Sequence, residues 1–268
     1  MAGLLVTLAV STTATAAPQA DLWPVFSGQT TDATTVVDHR PWGRFLAAWL
    51  VTDTADGIAR VRYEAVTPTA RAELDAYIRG LEAIRPTTLR RDEQFAYWAN
   101  LYNAATVALI LKRWPVGSIR QVRLGGLFST GPWATPILRI DGHEVSLDDI
   151  EHRILRPIWR DPRIHYAVNC AALGCPDLRP EPWDPARLNA QLDQAARAFL
   201  RHPRALRFEG DTLHLSSLFD WYADDFGRDG PARARHIAQY LPDELAARLL
   251  GFRGRVRYAY DWRINAAD

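Results

Sequence analysis

The chain has 268 residues, is 48% hydrophobic and 24% charged, and carries a formal net charge of +1. This balance is ordinary for a globular protein, and it excludes both the basic field that nucleic acid requires and an acidic interaction tail. A chain of this length buries a core without disulfides, and its ten tryptophans should dominate that core.

Residues 1–16 read as an export signal: Gly3 to Val10 is a short apolar run, and Ala14-Thr15-Ala16 fits a small-x-small cleavage site, although no Lys or Arg precedes the run. A periplasmic or secreted location follows, where a disulfide is permitted. No later apolar stretch is long enough to cross a bilayer, so no transmembrane segment is expected. Residues 17–41, rich in Thr, Ala, Asp and Pro, read as a leader, and residues 42–268 as one globular domain.

Trp42, Phe45, Leu46, Trp49 and Leu50 recur at helical spacing. Val61 to Val66 alternates like a short strand. Thr67 and Pro68 then open a helix that buries Leu74, Tyr77, Ile78 and Leu81. The segment from Asp92 to Trp114 is apolar nearly all round and predicts a central helix, ended by Pro115 and Gly117. Gly125, Gly126, Gly131, Pro132 and Pro136 mark a loop. A hairpin follows, with Ile137 to Ile140 turning at Asp141-Gly142 into His143 to Val145. Ser146 caps the next helix, with Asp149 at capping-box distance. Asp184-Pro185 starts an amphipathic helix to about Leu200. A second hairpin runs from Leu206 through Thr212, and Ser216 or Ser217 caps a helix from Leu218 to Phe226, stopped by Gly227. Arg255 to Tyr260 reads as a final strand. The fold class is α+β: a single helix-rich domain with short antiparallel strands or hairpins.

Reactive side chains concentrate between His165 and Cys175, which holds both cysteines, five residues apart, with a histidine five residues before the first. The spacing suits neither one helix face nor one strand face, so a change of structure is expected between His165 and Cys170. Ala171-Ala172 fits a helix start, which would stabilise a Cys170 thiolate. Asp148 and His152 share a helix face, which allows a carboxylate to orient an imidazole, or simply marks an acidic capping turn. Asn100 and Asn103 on the buried helix either clamp a neighbouring backbone or line a substrate site. Gly-x-Ser-x-Gly, phosphate loops and Cys-x-x-Cys ligand pairs are absent from the sequence.

Several blocks in order resemble the family called domain of unknown function 547. They are Phe95-x-Tyr97-Trp98-x-Asn100-Leu101-Tyr102-Asn103-Ala104, Ser146-Leu147-Asp148-Asp149-Ile150-Glu151-His152-x-Ile154-Leu155-Arg156, and His165-x-Ala167-Val168-Asn169-Cys170 with Cys175-Pro176. Leu218-Phe219-x-Trp221-Tyr222-x-x-Asp225-Phe226 and Tyr260-Asp261-Trp262-x-x-Asn265 resemble its closing blocks, so the likeness spans Trp42 to Asn265. The resemblance implies no activity. It does imply separate standing for the cysteines, because plant members tend to carry Ser where Cys175 stands.

Three functions compete. In the first, the protein is a cysteine-dependent hydrolase or acyl or amide transferase acting on a small molecule or peptide. Cys170 is then the nucleophile, His152 or His165 the base, Glu151 or Asp148 the orienting acid, and Asn100, Asn103, Asn169 and Cys175 line the substrate. In the second, it is a non-catalytic periplasmic binding or assembly module with a Cys170–Cys175 disulfide. The third, a metal site of His165, Cys170, Cys175 and a remote His152, has a looser spacing than metal knuckles show, so neither metal nor cofactor is expected.

Overall fold

The computed structural model describes residues 18–124 and 131–267. The expected export signal, and Gly125 and Gly126 of the expected loop, lie outside the described residues. The leader, far from only preceding the domain, packs on it. Phe26 is fully buried with its ring edge-on to Trp98 at 5.2 Å, and the N–H of Val37 donates to Glu93 Oε1 at 2.7 Å. Gln94 Nε2 donates to the carbonyls of Gly28 and Pro86, at 2.7 and 2.9 Å, so two polar side chains on one helix end hold the leader in place.

Helix α1 (Arg40–Trp49) runs into strand β1 (Leu50–Val51), which pairs antiparallel with β2 (Arg60–Val61). The strand expected over residues 61–66 ends at once, and Tyr63–Ala65 forms a 3-10 turn. Tertiary partners override the alternation: the N–H of Val61 donates to Asn265 O, its carbonyl accepts from Ala267, and Tyr63 Oη donates to Asn265 Oδ1 at 2.8 Å. Helix α2 (Pro68–Glu82) starts as expected, with Thr67 Oγ1 accepting from the N–H of Ala70 at 3.2 Å.

Helix α3 (Arg91–Arg113) forms the centre, every residue from Glu93 to Leu111 being buried. Its alanines let neighbours approach closely, and Asp92 and Glu93 at its start with Lys112 and Arg113 at its end oppose the helix dipole. Strands β3 (Leu138–Ile140) and β4 (His143–Val145) form the expected hairpin, with Asp141 and Gly142 at φ of 47° and 83° as a primed turn demands. Beyond a π-helical segment, Asp149–Leu155, lie α4 (Arg156–Trp159) and a 3-10 turn, Pro162–Tyr166. Helix α5 (Leu188–Leu200) follows a 3-10 turn capped by Asp184.

Strands β5 (Leu206–Glu209) and β6 (Thr212–Ser216) form the second hairpin. The expected Leu218–Phe226 helix is broken at Tyr222 (φ −110°, ψ 35°) into α6 (Leu218–Trp221) and α7 (Ala223–Phe226). Helices α8 (Gly230–Ala238) and α9 (Asp243–Gly251) lead to β7 (Arg255–Ala259), which joins β6 in parallel. Only antiparallel strands were expected; the intervening helices supply the crossover that a parallel pair needs. The fold is α+β, helix-rich, with small sheets. No helix among the described residues is long and apolar enough to cross a membrane.

Because α3 is buried all round, truncating Leu101, which is fully buried, leaves a cavity. Leu101→Ala should cost about 2–5 kcal/mol in urea unfolding, whereas Leu250→Ala on the solvent side of α9 should stay within about 0.5 kcal/mol. Equal losses at the two sites would contradict a core centred on α3.

Candidate functional site

The site is built around the π-helical segment. Ser146 and Asp149 cap each other reciprocally: the Ser146 N–H donates to Asp149 Oδ2 at 2.9 Å and the Asp149 N–H to Ser146 Oγ at 3.1 Å. The helix then widens, with the N–H of Arg156 reaching Glu151 O. The wider register takes the Arg156 N–H away from His152 O, and Pro157, which has no N–H, leaves Arg153 O unpaired; the N–H groups of Asp21 and Trp23 in the leader donate to these two carbonyls at 3.0 and 2.9 Å. Glu151, His152 and Arg156 point inward and are buried, while Asp148 keeps 30% of its side chain exposed.

His165 arrives from the Pro162–Tyr166 turn, and Tyr222 and Asp225 from the broken α6–α7 helix. His165 Nε2 lies 2.7 Å from Asp225 Oδ2, its Nδ1 lies 3.6 Å from Glu151 Oε1, and its ring stacks on Tyr222 at 4.0 Å. The 3.6 Å contact is electrostatic rather than a hydrogen bond, so Nδ1 is buried with no hydrogen-bond partner among the described residues. Arg156 ties the cluster together: Nε donates to Asp225 Oδ2 at 2.6 Å, while Nη1 donates to Pro18 O at 2.6 Å and to His152 Nδ1 at 3.0 Å. A guanidinium only donates, so His152 Nδ1 accepts and the imidazole carries its proton on Nε2, 3.6 Å from Asp148 Oδ1.

The carboxylates divide by environment. Burial pushes Glu151 up, but the nearby His152, His165 and Arg156 outweigh it and hold the carboxyl at about 2; Tyr102 Oη also donates to it at 3.2 Å. Asp225 is likewise raised by burial and held well below the usual carboxylate range by His165 and Arg156. Asp148 has no such support. Burial first, then the charges of Glu151 and Asp149, push it up to about 7. Burial lowers His152 to about 4, so it is neutral near pH 7. A carboxyl poised to exchange a proton near neutrality thus sits beside a neutral imidazole, with ionised groups behind both.

Asn100 and Asn103 bind backbone. Asn100 exchanges two 2.9 Å hydrogen bonds with the main chain of Trp183. Asn103 Nδ2 donates to Ala167 O at 2.9 Å, and its Oδ1 accepts from the N–H of Asn169 at 2.8 Å. Asn169 in turn accepts from the N–H of Ala171 and donates to Pro176 O, at 2.8 and 2.7 Å. These amides form the clamp, and none of the three side chains is left with a free arm toward solvent.

No helix begins after Cys170, contrary to the expectation for Ala171-Ala172. Ala171 takes a left-handed φ of 58°, Ala172 bridges to Ile264, and a Cβ on Gly174 would meet the Asp261 backbone N at 2.8 Å. The turn is therefore moulded against the C-terminal segment, and no helix dipole reaches the sulfur. Cys170 and Cys175 are joined in a disulfide, with Cα atoms 6.3 Å apart, and neither is a free thiol. Tyr260 Oη stands 3.1 Å from Cys170 Sγ and 3.0 Å from Cys175 Sγ. Beside it the half-buried rings of Trp221, Trp262 and Trp133 form a continuous aromatic face, and the Trp133 carbonyl accepts from the backbone N–H of Asp148 at 3.0 Å.

The structure therefore gathers Asp148, Glu151, His152 and His165, and adds Arg156, Tyr102, Tyr222 and Asp225. Cys170 contacts Tyr260 instead of an imidazole. Arg156 was legible as four residues beyond His152; Asp225 and Tyr260 had no signal beyond their places in motif-like blocks.

A family described as "Protein of unknown function, DUF547" matches residues 86–200. That stretch of the chain belongs to it. No curated protein and no solved structure matches the chain. The DUF547 stretch holds the asparagine clamp, the π-helical segment, His165 and both cysteines, whereas Tyr222, Asp225 and Tyr260 come from residues beyond it. Among the described residues no group of His, Cys, Asp and Glu is arranged to hold a metal ion.

Asp148 sets a sign. Its pKa in the fold, about 7, exceeds its ordinary value of 3.8, so its contribution is complete below the ordinary value and lost as pH rises through about 7. Asp148→Asn should therefore gain on wild type between about pH 4 and pH 7 and plateau above, by roughly 1–3 kcal/mol. Urea unfolding across that range tests it; a difference independent of pH would refute the shift.

Proposed function

We propose that this DUF547 protein is an acid–base enzyme, a hydrolase or an acyl or amide transferase, acting on a small-molecule or peptide substrate beside the π-helical segment. The observation that carries the reading is the split between Asp148, pushed up to about 7, and Glu151, held at about 2, three residues apart on one segment. Environments that drive neighbouring carboxyls apart assign one as proton donor and the other as fixed charge. In this reading Asp148, the more exposed of the two, passes a proton to the leaving group, and the His152 Nε2–H next to it relays or stabilises developing charge. Glu151, Asp225 and Arg156 are positioning residues that hold the two imidazoles. The half-buried Trp133, Trp221 and Trp262 rings offer apolar contact for the substrate body.

Cys170 acts as a nucleophile here only in a reduced protein, because a disulfide sulfur has no thiolate. The second reading, a binding or assembly module stapled by Cys170–Cys175, is favoured by that bond and by the backbone clamp of Asn100, Asn103 and Asn169. A periplasmic or secreted location belongs to both readings, supported by the disulfide and the apolar run at Gly3 to Val10.

A panel of nitrophenyl esters, anilides and peptides tests the proposal. Turnover should fall as pH rises through about 7, and Asp148→Asn and His152→Gln should each lower it by roughly 100-fold or more. Turnover untouched by both substitutions removes the acid–base role, and no turnover on any member of the panel favours the binding module.

A further inference from the structure

We infer that the Cys170–Cys175 disulfide is an exchange site, attacked at Cys170 by a thiol and releasing Cys175. Three features carry this. The two cysteines differ in exposure: Cys175 is 3% exposed, whereas Cys170 is half-buried. Their donors differ too. Cys175 Sγ accepts from the N–H of Cys170 at 3.0 Å and from Tyr260 Oη at 3.0 Å, while among the described residues Cys170 Sγ meets the Tyr260 hydroxyl alone, at 3.1 Å. Two donors converging on a buried sulfur favour its anionic form over its neutral one, which makes Cys175 the better leaving group.

Third, the turn does not depend on the disulfide for its shape. The N–H groups of Leu173 and Gly174 donate to Arg263 O and Asp261 O, both at 2.8 Å, and the side chains of Asn103 and Asn169 hold the N–H groups of Asn169 and Ala171 on either side of Cys170. The sulfurs therefore remain neighbours after reduction and can pair again.

The chemistry balances with a dithiol as reductant. One thiolate of the dithiol attacks Cys170 Sγ; a mixed disulfide forms as the Cys170–Cys175 bond breaks, and the electron pair leaves on Cys175 Sγ, facing Tyr260 Oη–H and the Cys170 N–H. The second thiolate of the dithiol attacks its own partner sulfur in the mixed disulfide and releases Cys170 as a thiolate, which takes a proton from water. The dithiol is oxidised by two electrons and the protein disulfide is reduced by two. The product is the free Cys170 thiol that a thiol-dependent reaction needs, yet the exchange itself does not rest on the acid–base reading.

Folded full-length protein, treated with dithiothreitol without denaturant and quenched with iodoacetamide, should take up two alkyl groups by intact mass. With glutathione at limiting concentration, peptide mapping should place the mixed disulfide on Cys170. Tyr260→Phe should slow reduction by roughly three- to tenfold and shift the pH dependence of Cys175 alkylation upward, read in the Cys170→Ser background. A bond that opens only in denaturant, or glutathione found on Cys175, overturns the inference. Should Tyr260→Phe fail to fold, the mapping on wild type decides alone. The readout is thiol exchange, so absence of substrate turnover leaves it intact.

Discussion

Two asparagine amides on a helix with no exposed face govern the rest of the site. Helix α3 is buried from Glu93 to Leu111, so any polar group it carries must find a partner inside the protein. Asn100 and Asn103 find theirs in the main chain of Ala167, Asn169 and Trp183. These bonds hold an otherwise irregular stretch flat against the core, because separating them leaves both an amide and a peptide group unpaired in the interior. His165 enters at one end of that stretch and the disulfide sits in its middle.

The charged cluster exists on similar terms. Glu151 and Asp225 lie where water is largely excluded, and isolated carboxylates there would neutralise. Arg156 opposes this, bonding directly to Asp225 and lowering Glu151 through its charge, while it also donates to His152 and lies over the Tyr222 ring at 4.9 Å. Asp148 is the member left with only a long contact, to His152, and it is the one whose proton affinity rises into the neutral range. Uneven pairing thus converts one of several similar carboxyls into a proton-exchanging group.

The helices α1, α2, α3 and α5 and both hairpins were legible because local pattern and tertiary burial agree there. Val61 to Val66 alternates convincingly, yet Asn265 and Ala267 occupy the backbone of Val61 and Tyr63 turns to meet Asn265. The helix from Leu218 to Phe226 reads as continuous, but breaks at Tyr222, which places that ring on His165 and Asp225 at its Nε2. The widening of the helix at Glu151 leaves no mark in residue spacing; the leader residues Asp21 and Trp23 satisfy the carbonyls of His152 and Arg153, which the wider register and the missing N–H of Pro157 leave open. In the site, the pairing of Asp148 with His152 and the concentration of reactive groups near Cys170 could be read directly. Asp225, sixty residues from His165, could not.

From the residues alone came the α+β class, the central apolar helix, and the short list of Glu151, His152, His165, Cys170 and the two asparagines as the chemically unusual positions. The class and the helix follow from periodicity, capping and residue type, which act over a few neighbours; Glu151, and Cys170 as distinct from Cys175, are singled out by the family resemblance. Which of them meet was decided by tertiary structure: the imidazoles join Asp148, Asp225 and Arg156, the asparagines face backbone, and Cys170 faces Tyr260 and Cys175. Proton affinity and sulfur chemistry depend on desolvation and on partners distant in the chain, and only the folded packing supplies either.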